Sequence, residues 1–152
     1  MNRTNVAALT LSASALVGIV LHEGWSDKPI QPLPGDKLTI GFGTTEGVKP
    51  GDTITPPKAL VRALQDVQKF EGALRKCVAV PLHQHEYDAY ISLSYNIGST
   101  NFCGSTLVRK LNAQDYEGAC NEILRWNRFK GVPVRGLTLR RQAEHQRCLG
   151  AE

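Results

Sequence analysis

The sequence predicts a mainly helical fold with one small antiparallel β element. Most apolar residues recur three and four positions apart, which is typical of helices that bury one face. Clusters of glycine and proline separate these helical segments. A short run, residues 38–43, instead has the residue types of a strand. At 152 residues the chain fits one domain that buries roughly two-thirds of its unfolded surface.

The first helix is predicted over residues 4–22, starting at Thr4 or Asn5 and ended by Gly24. Apolar residues step by three and four along this segment, as on a core-facing stripe: Val6, Leu9, Ala13, Leu16, Val17 and Val20. Residues 6–21 carry no charge, so two interpretations stay open. The segment is an uncleaved signal anchor, or it is an ordinary first helix.

The next stretch is predicted to be irregular before the chain forms a ribbon. Residues 27–35 hold three prolines, which favour turns. Residues 38–43 and 45–48 are predicted to pair as short antiparallel strands. Within them Gly41 and Gly43 would let the backbone approach a ligand closely.

A long helix is predicted from the Thr55-Pro56 start signal to about Cys77. Its predicted buried face consists of Leu60, Ala63, Leu64, Val67, Phe70 and Leu74. A boundary follows at Val80-Pro81. The remaining helices are predicted from about His83 to Gly98, over 105–112 and 115–126, and, after a loop at 130–136, as a basic helix to Cys148.

The chain has four widely spaced cysteines and no C-x-x-C pair, so zinc is not predicted. The even count favours two disulfides if the protein works outside the cytosol, with three pairings open; the alternative is four buried thiols. The cysteines are Cys77, Cys103, Cys120 and Cys148. The His83-Gln84-His85-Glu86 run has metal-like spacing but fits a polar helix start, so no metal is predicted.

Several motifs together span most of the chain: Glu23-Gly24, the Thr39-Ile40-Gly41-Phe42-Gly43 run, Tyr95-Asn96-Ile97-Gly98, Ser105-Thr106-Leu107, and Gly136 to Arg141 with Glu144. In these motifs the chain resembles the phage-type lysozymes of glycoside hydrolase family 24, the endolysins with which tailed bacteriophages open the bacterial wall. The resemblance implies a bilobal, lysozyme-like α+β fold in a single domain, 1–152. A small β-containing lobe is expected at about 24–58. A helical lobe is expected at about 59–152, together with the N-terminal helix.

The resemblance implies hydrolysis of the β-1,4 bond between N-acetylmuramic acid and N-acetylglucosamine, without metal or cofactor. Glu23 is expected to be the general acid, holding its proton through desolvation beside Leu21 and Trp25. A helix C-terminus disfavours an acid, which is consistent with a functional reason for this one. Thr39 is expected to hold the attacking water, with net inversion; a plain strand threonine is the alternative.

The second carboxylate of the family is not found at its usual place. The family signature has fourteen residues between Glu and Thr, whereas fifteen separate Glu23 from Thr39 here. Counted from Glu23, or from Thr39 with one residue inserted after Gly35, the family's Asp position falls on Pro32. The candidates are Asp36, which is alternatively a turn former, and then Asp27.

Other residues are assigned to substrate or to the fold on weaker patterns. Gln31 is a polar neighbour of the catalytic pair. Residues around Gly98 are expected either to line the sugar cleft or to pack at the helix end: Tyr95, Asn96, Asn101 and Phe102. Trp126 is expected in the core. The basic residues of the last helix are expected on a solvated face: Arg140, Arg141 and Arg147.

The net charge of +4 fits an acidic wall polymer, since no pattern of stacking aromatics or recognition helix favours nucleic acid. The expected partner is therefore peptidoglycan, bound by a monomer in the periplasm or cell wall after export or release. Residues 6–21 would allow transient membrane association. Two other functions stay open, namely a lytic transglycosylase acting on the same bond and a non-catalytic wall-binding module.

Overall fold

The computed structural model describes residues 2–151. Within this range the chain forms helices α1 (Ala13–Glu23), α2 (Pro56–Cys77), α3 (Gln84–Ile97), α4 (Ser99–Cys103), α5 (Thr106–Asn112), α6 (Tyr116–Glu122) and α7 (Arg135–Cys148). The strands are β1 (Ser26–Ile30), β2 (Thr39–Gly41), β3 (Arg128–Phe129) and β4 (Val132–Pro133), and 3-10 turns cover Val6–Ala8 and Ile123–Arg125. The predicted mainly helical fold with a small antiparallel sheet is confirmed.

The chain divides into two compact units. One unit, Leu16–Lys69, contains the β1–β2 sheet and is called the small unit here. The other comprises the residues up to Ala15 together with those from Phe70 onward, and is called the helical unit because it contains α3 to α7.

The predicted start of the first helix at Thr4 or Asn5 is wrong, because α1 begins at Ala13. Thr4 instead forms a β-bridge to Leu82, with backbone N–H···O distances of 2.7 and 2.8 Å. Ser12 then starts the helix, since its hydroxyl accepts the Ala15 N–H at 3.2 Å. A long-range backbone pair and a local cap therefore override the apolar periodicity of residues 4–12.

The predicted apolar stripe of this segment is correct only in part. Val6 and Leu9 are buried, but Val17 is 57% exposed. Ala15 and Ile19, four residues apart, are the buried positions of α1. The change of face follows from the break in the helix, which resets the angular position of every later residue.

Strand β1 occupies part of the stretch predicted to be irregular, and it contains Pro29. A two-stranded sheet leaves each strand with an unpaired edge, where a proline loses no ladder hydrogen bond. The register also shifts between Ser26 and Ile30, which is typical of a bulge. The predicted second strand over 45–48 is wrong, because β2 pairs with β1 and residues 45–48 form turns.

Helix α2 has the predicted bounds but a partly different buried face. The positions with little exposed surface are Ala59, Ala63, Val67, Glu71 and Leu74. Leu60 and Leu64, which were predicted to be buried, are each 46% exposed. The true face is lined first by small residues, which a search for large apolar side chains does not find.

In the helical unit, α3 is the most deeply buried element. It starts with a capping box in which Glu86 accepts the His83 backbone N–H at 2.8 Å, so the polar run at 83–86 is a helix start as predicted. Burial, together with its hydrogen bond to Glu71, raises the pKa of Tyr87 well above its usual value. The Tyr87 hydroxyl therefore remains a protonated donor to the Glu71 carboxylate.

Two disulfides join helices within the helical unit, Cys77–Cys103 and Cys120–Cys148. This is one of the three pairings that the sequence left open. The chain between β3 and β4 turns at Lys130 and Gly131, both with positive φ, so the predicted loop at 130–136 is a short hairpin followed by α7.

The prediction that Arg140 and Arg141 lie on a solvated face is wrong. They are 6% and 0% exposed, respectively. Oε1 of Glu144 accepts hydrogen bonds from Arg140 Nε at 3.1 Å and from Arg141 Nη2 at 3.0 Å. The same oxygen accepts the Ser92 hydroxyl of α3 at 2.7 Å, so this cluster ties α7 to α3.

Candidate active site

Glu23 is the last residue of α1, and the chain turns immediately after it. Gly24 has φ +70°, the left-handed conformation that ends many helices and that favours glycine. Strand β1 begins two residues later, at Ser26. The candidate acid therefore lies at a helix-to-strand junction, and the predicted stop at Gly24 is confirmed.

The β1–β2 pairing brings residues 40–44, called the glycine turn here, next to this carboxylate. Ser26 pairs with Gly41, and Ile40 and Thr44 exchange backbone hydrogen bonds of 2.9 and 3.1 Å. Gly43 lies in this turn with φ +85°, and a Cβ added there would lie 2.8 Å from Glu23 Oε2. The backbone conformation therefore favours glycine at this position, and a side chain here would displace the Glu23 carboxylate.

The apolar neighbours of Glu23 only partly match the prediction. Leu21 is 77% exposed, so it can shield the carboxyl group very little. Trp25 is 43% exposed and packs on Phe42, with ring centroids 5.1 Å apart. This aromatic pair joins the chain just after Glu23 to the glycine turn.

Thr39 begins β2 and pairs with Ile30 of β1. It is half-buried, and its hydroxyl donates to the Lys37 carbonyl at 3.3 Å. Thr39 and Glu23 both belong to the small unit. The water-positioning role of Thr39 stays a prediction.

Gln31 and Asp36 belong to the loop that leads to Thr39. The Gln31 amide donates to the Asp36 carbonyl at 2.8 Å, and the Asp36 N–H donates to the Leu33 carbonyl at 3.0 Å. Gln31 therefore spans the loop, and the backbone of Asp36 forms a turn. The carboxylate role of Asp36 stays a prediction.

The candidate substrate residues of the helical unit fall into different environments. Phe102 has 0% exposure and packs on Tyr90, with centroids 6.0 Å apart, so its predicted role as a sugar face is wrong. The ring belongs to the core because α4 turns it inward. Tyr95 is half-buried and packs on Phe70, with ring centroids 5.2 Å apart.

Asn96 and Asn101 are exposed, as a sugar-binding role requires. Asn96 Oδ1 accepts Arg141 Nη1 at 2.9 Å, and Asn101 Nδ2 donates to the Ile97 carbonyl at 2.7 Å. The fold thus holds one end of each amide, and the sugar-binding role of both residues stays a prediction.

Sequence reasoning missed the contact between Thr44 and Asp66. Thr44 is 1% exposed, and its hydroxyl donates to Asp66 Oδ2 at 2.7 Å. One signal was available, since Asp66 lies seven residues after Ala59 on α2 and so falls on the same helical face. Without knowledge of the turn, nothing in the sequence linked that face to Thr44.

The described part of the chain lacks two kinds of feature. Within residues 2–151, no group of three or more His, Cys, Asp and Glu side chains is arranged to hold a metal ion. Over the same range no helix is both long and apolar enough to cross a bilayer.

The family model for phage lysozyme matches residues 20–144, which include Glu23, the glycine turn and the Arg140–Glu144 cluster. The chain belongs to the phage lysozyme family. It is thus a glycoside hydrolase of the muramidase class, an endolysin that hydrolyses peptidoglycan.

Two curated endolysins and one solved structure are similar to this chain over most of its length. It is 40% identical over 138 residues to the endolysin of Acyrthosiphon pisum secondary endosymbiont phage 1, covering 88% of this chain and 94% of that one. It is 33% identical over 141 residues to the SAR-endolysin of Pseudomonas phage phiKMV, covering 90% and 87%. The endolysin from Escherichia coli O157:H7 phage FAHEc1 superposes with a TM-score of 0.83 at 34% identity, covering 95% and 96%. The expected lysozyme-like fold is confirmed.

Proposed function

We propose that this endolysin cleaves the β-1,4 bond between N-acetylmuramic acid and N-acetylglucosamine with Glu23 as its general acid. The observation that carries this assignment is the Glu23 carboxylate at the end of α1, where Oε2 lies against Gly43 of the glycine turn. Glycosidic bonds are cleaved when one carboxylic acid protonates the leaving oxygen while a second group handles water. Glu23 is the acid of the family motif that lies at such a junction.

In the proposed reaction, Glu23 gives its proton to the glycosidic oxygen as the bond breaks. The Thr39 hydroxyl orients a water molecule on the opposite face of the sugar, and attack by this water inverts the anomeric carbon. The proton that the attacking water loses passes to the solvent, from which Glu23 is protonated again. The Asp36 carboxylate supports the developing positive charge through space. Gln31, Tyr95, Asn96 and Asn101 contact the glycan strand.

Replacement of the acid tests this proposal. Glu23→Gln keeps the side-chain volume but cannot donate the proton, so we expect wall clearing to fall by about 10²–10⁴-fold. The matched control is Glu46→Gln, the same change at an exposed residue of the small unit that pairs with Lys69. Clearing by Glu23→Gln at the control's rate would overturn the assignment, whereas retained binding without clearing supports it.

Two further variants separate the roles of the water-handling groups. Thr39→Val should lower turnover strongly, because valine cannot hold a water molecule. Asp36→Asn should lower turnover less if Asp36 acts only through its charge. Full activity of Asp36→Asn would leave a mechanism of Glu23 and Thr39 alone.

A lytic transglycosylase remains a second candidate because Pro32 stands where the family has a second carboxylate. That reaction needs a single acid and uses a hydroxyl of the substrate in place of water. Mass spectrometry of digested wall distinguishes the two outcomes. Hydrolysis yields reducing ends, whereas 1,6-anhydro products would identify the transglycosylase.

We further propose that the enzyme acts as a monomer in the periplasm or cell wall after export or release. Relatives named SAR-endolysins support export, and residues 6–21 would provide transient membrane association. Fractionation of expressing cells tests this location. Protein found in the membrane fraction early and in the periplasm later is the expected result, and cytosolic protein at all times would contradict it.

A further inference from the structure

The glycine turn of residues 40–44 contacts α2 at two points on the same face of the helix. At the first point, a Cβ on Gly41 would lie 2.8 Å from Ala59 Cβ, so the turn backbone lies directly on the helix. At the second point, Thr44 Oγ1 donates to Asp66 Oδ2 at 2.7 Å. Ala59 and Asp66 are seven residues apart, which on a helix means two turns and about 10.5 Å.

The second contact is a partly buried, charge-assisted hydrogen bond. Thr44 is 1% exposed, and the Asp66 side chain is 16% exposed. Lys69 Nζ lies 3.6 Å from the other carboxylate oxygen, Oδ1, and also pairs with Glu46. A hydrogen bond from a hydroxyl to a carboxylate is stronger than one between neutral groups, and loss of the donor leaves a partly buried charge unsatisfied.

The hydrogen bond between Thr44 and Asp66 lies next to the candidate acid. Gly43 immediately precedes Thr44, and its Cα faces the Glu23 carboxylate closely enough that a Cβ would be 2.8 Å from Oε2. Any shift of Thr44 away from α2 therefore moves the backbone against which Glu23 packs. Both backbone hydrogen bonds between Ile40 and Thr44 would carry the shift through the whole turn.

We propose that Thr44 and Asp66 are positioning residues for the general acid, an inference that rests on the proposed role of Glu23. Neither residue touches the reacting atoms. Their hydrogen bond keeps the glycine turn packed on α2. The packed turn keeps the Glu23 carboxyl group where it reaches the glycosidic oxygen. Small displacements of catalytic groups cost turnover out of proportion to their effect on substrate binding.

The first test removes the donor. Thr44→Val keeps the β-branched shape but has no hydroxyl, so kcat on soluble, uncrosslinked glycan strands should fall about tenfold while KM changes less than twofold. Thr44→Ser, which restores the hydroxyl, should recover most of the kcat. The control is Thr45→Val, the same change at the neighbouring exposed residue, which should leave kcat unchanged.

The second test changes the acceptor. Asp66→Asn and Asp66→Leu both remove the charge and the Lys69 pair while keeping the number of side-chain heavy atoms and their branching, but only asparagine can still accept the Thr44 hydrogen bond. Asp66→Leu should therefore match Thr44→Val, and Asp66→Asn should stay close to the native kcat. The double variant Thr44→Val/Asp66→Leu should be no slower than either single variant, because both remove the same bond.

All kinetics are measured well below the thermal midpoint of each variant, so that the protein is fully folded. Native kcat in Thr44→Val, or equal losses in Asp66→Asn and Asp66→Leu, would overturn the positioning role. Glu23→Gln is assayed alongside. If that variant is inactive while Thr44→Val is fully active, the positioning proposal alone fails; if Glu23→Gln is active, the general-acid assignment fails first.

Discussion

A side chain at Gly43 would meet two obstacles, a strained backbone conformation and the Glu23 carboxyl group. The φ of +85° at Gly43 costs a non-glycine residue on the order of 1–2 kcal/mol, and the space beside its Cα is filled by the Glu23 carboxyl group. The two constraints have different consequences, since strain lowers stability whereas displacement of Glu23 lowers activity. They can therefore be separated by choosing the right control.

Gly43→Ala should reduce wall-clearing activity by about 100-fold, because the new methyl group pushes the Glu23 carboxyl from its position. Gly47→Ala is the matched control, with a similar φ of +70° but no atom within 4 Å of the added Cβ. We expect similar losses of stability in the two variants, measured by thermal unfolding, and loss of activity in Gly43→Ala alone. Equal activities would show that Glu23 tolerates the displacement.

At the scale of elements, a buried cluster around one carboxylate links α7 to α3. Oε1 of Glu144 accepts hydrogen bonds from Ser92, Arg140 and Arg141, and Glu144 is 4% exposed. Two guanidinium groups share this acceptor in a buried setting. A neutral side chain at position 144 removes the negative charge that balances two buried guanidinium groups, which is far more costly than loss of an exposed ion pair.

Glu144→Gln should lower the free energy of unfolding by about 3–5 kcal/mol, measured by urea denaturation. Glu117→Gln, the same change at an exposed position of α6, should cost less than about 1 kcal/mol. Comparable small costs in both variants would mean that the arginines find other acceptors. In that case the cluster would not be what ties α7 to α3.

At the scale of the whole molecule, covalent links are confined to one of the two units. Both disulfides lie in the helical unit and close loops of similar length, with sequence separations of 26 and 28 residues. In the described range the small unit contains no disulfide and depends on its short sheet and on the contacts of α2. Reduction should therefore weaken the helical unit directly.

The variants Cys77→Ser/Cys103→Ser and Cys120→Ser/Cys148→Ser should each lose about 3 kcal/mol of stability, because similar loops constrain the unfolded chain to a similar degree. Thermal unfolding with and without reductant measures the effect, and the reductant should not change a variant that lacks both bridges. Activity well below the midpoint should be retained. A cost below about 1 kcal/mol for either pair would contradict the loop-entropy argument.

Much of the fold could be predicted because its signals are local. Helix α2 has the predicted bounds since Thr55-Pro56 is a start signal, and α3 ends at the predicted Gly98. The start of α1 could not be predicted, because it depends on a bridge between Thr4 and Leu82, which are far apart in sequence. Pro29 misled the prediction of β1, since only the pairing shows that its strand is at an edge.

The sequence by itself determined the family, the mainly helical fold, the end of α1 at the Glu23-Gly24 pair and the absence of a second carboxylate at Pro32. These follow from residue type and spacing along one stretch of chain. Only the tertiary structure decided the disulfide pairing and the burial of Arg140 and Arg141. It also decided the close contact of Gly43 with Glu23 and the hydrogen bond from Thr44 to Asp66. Each of these joins residues far apart in sequence, and their energies depend on burial and geometry that exist only once the chain has folded.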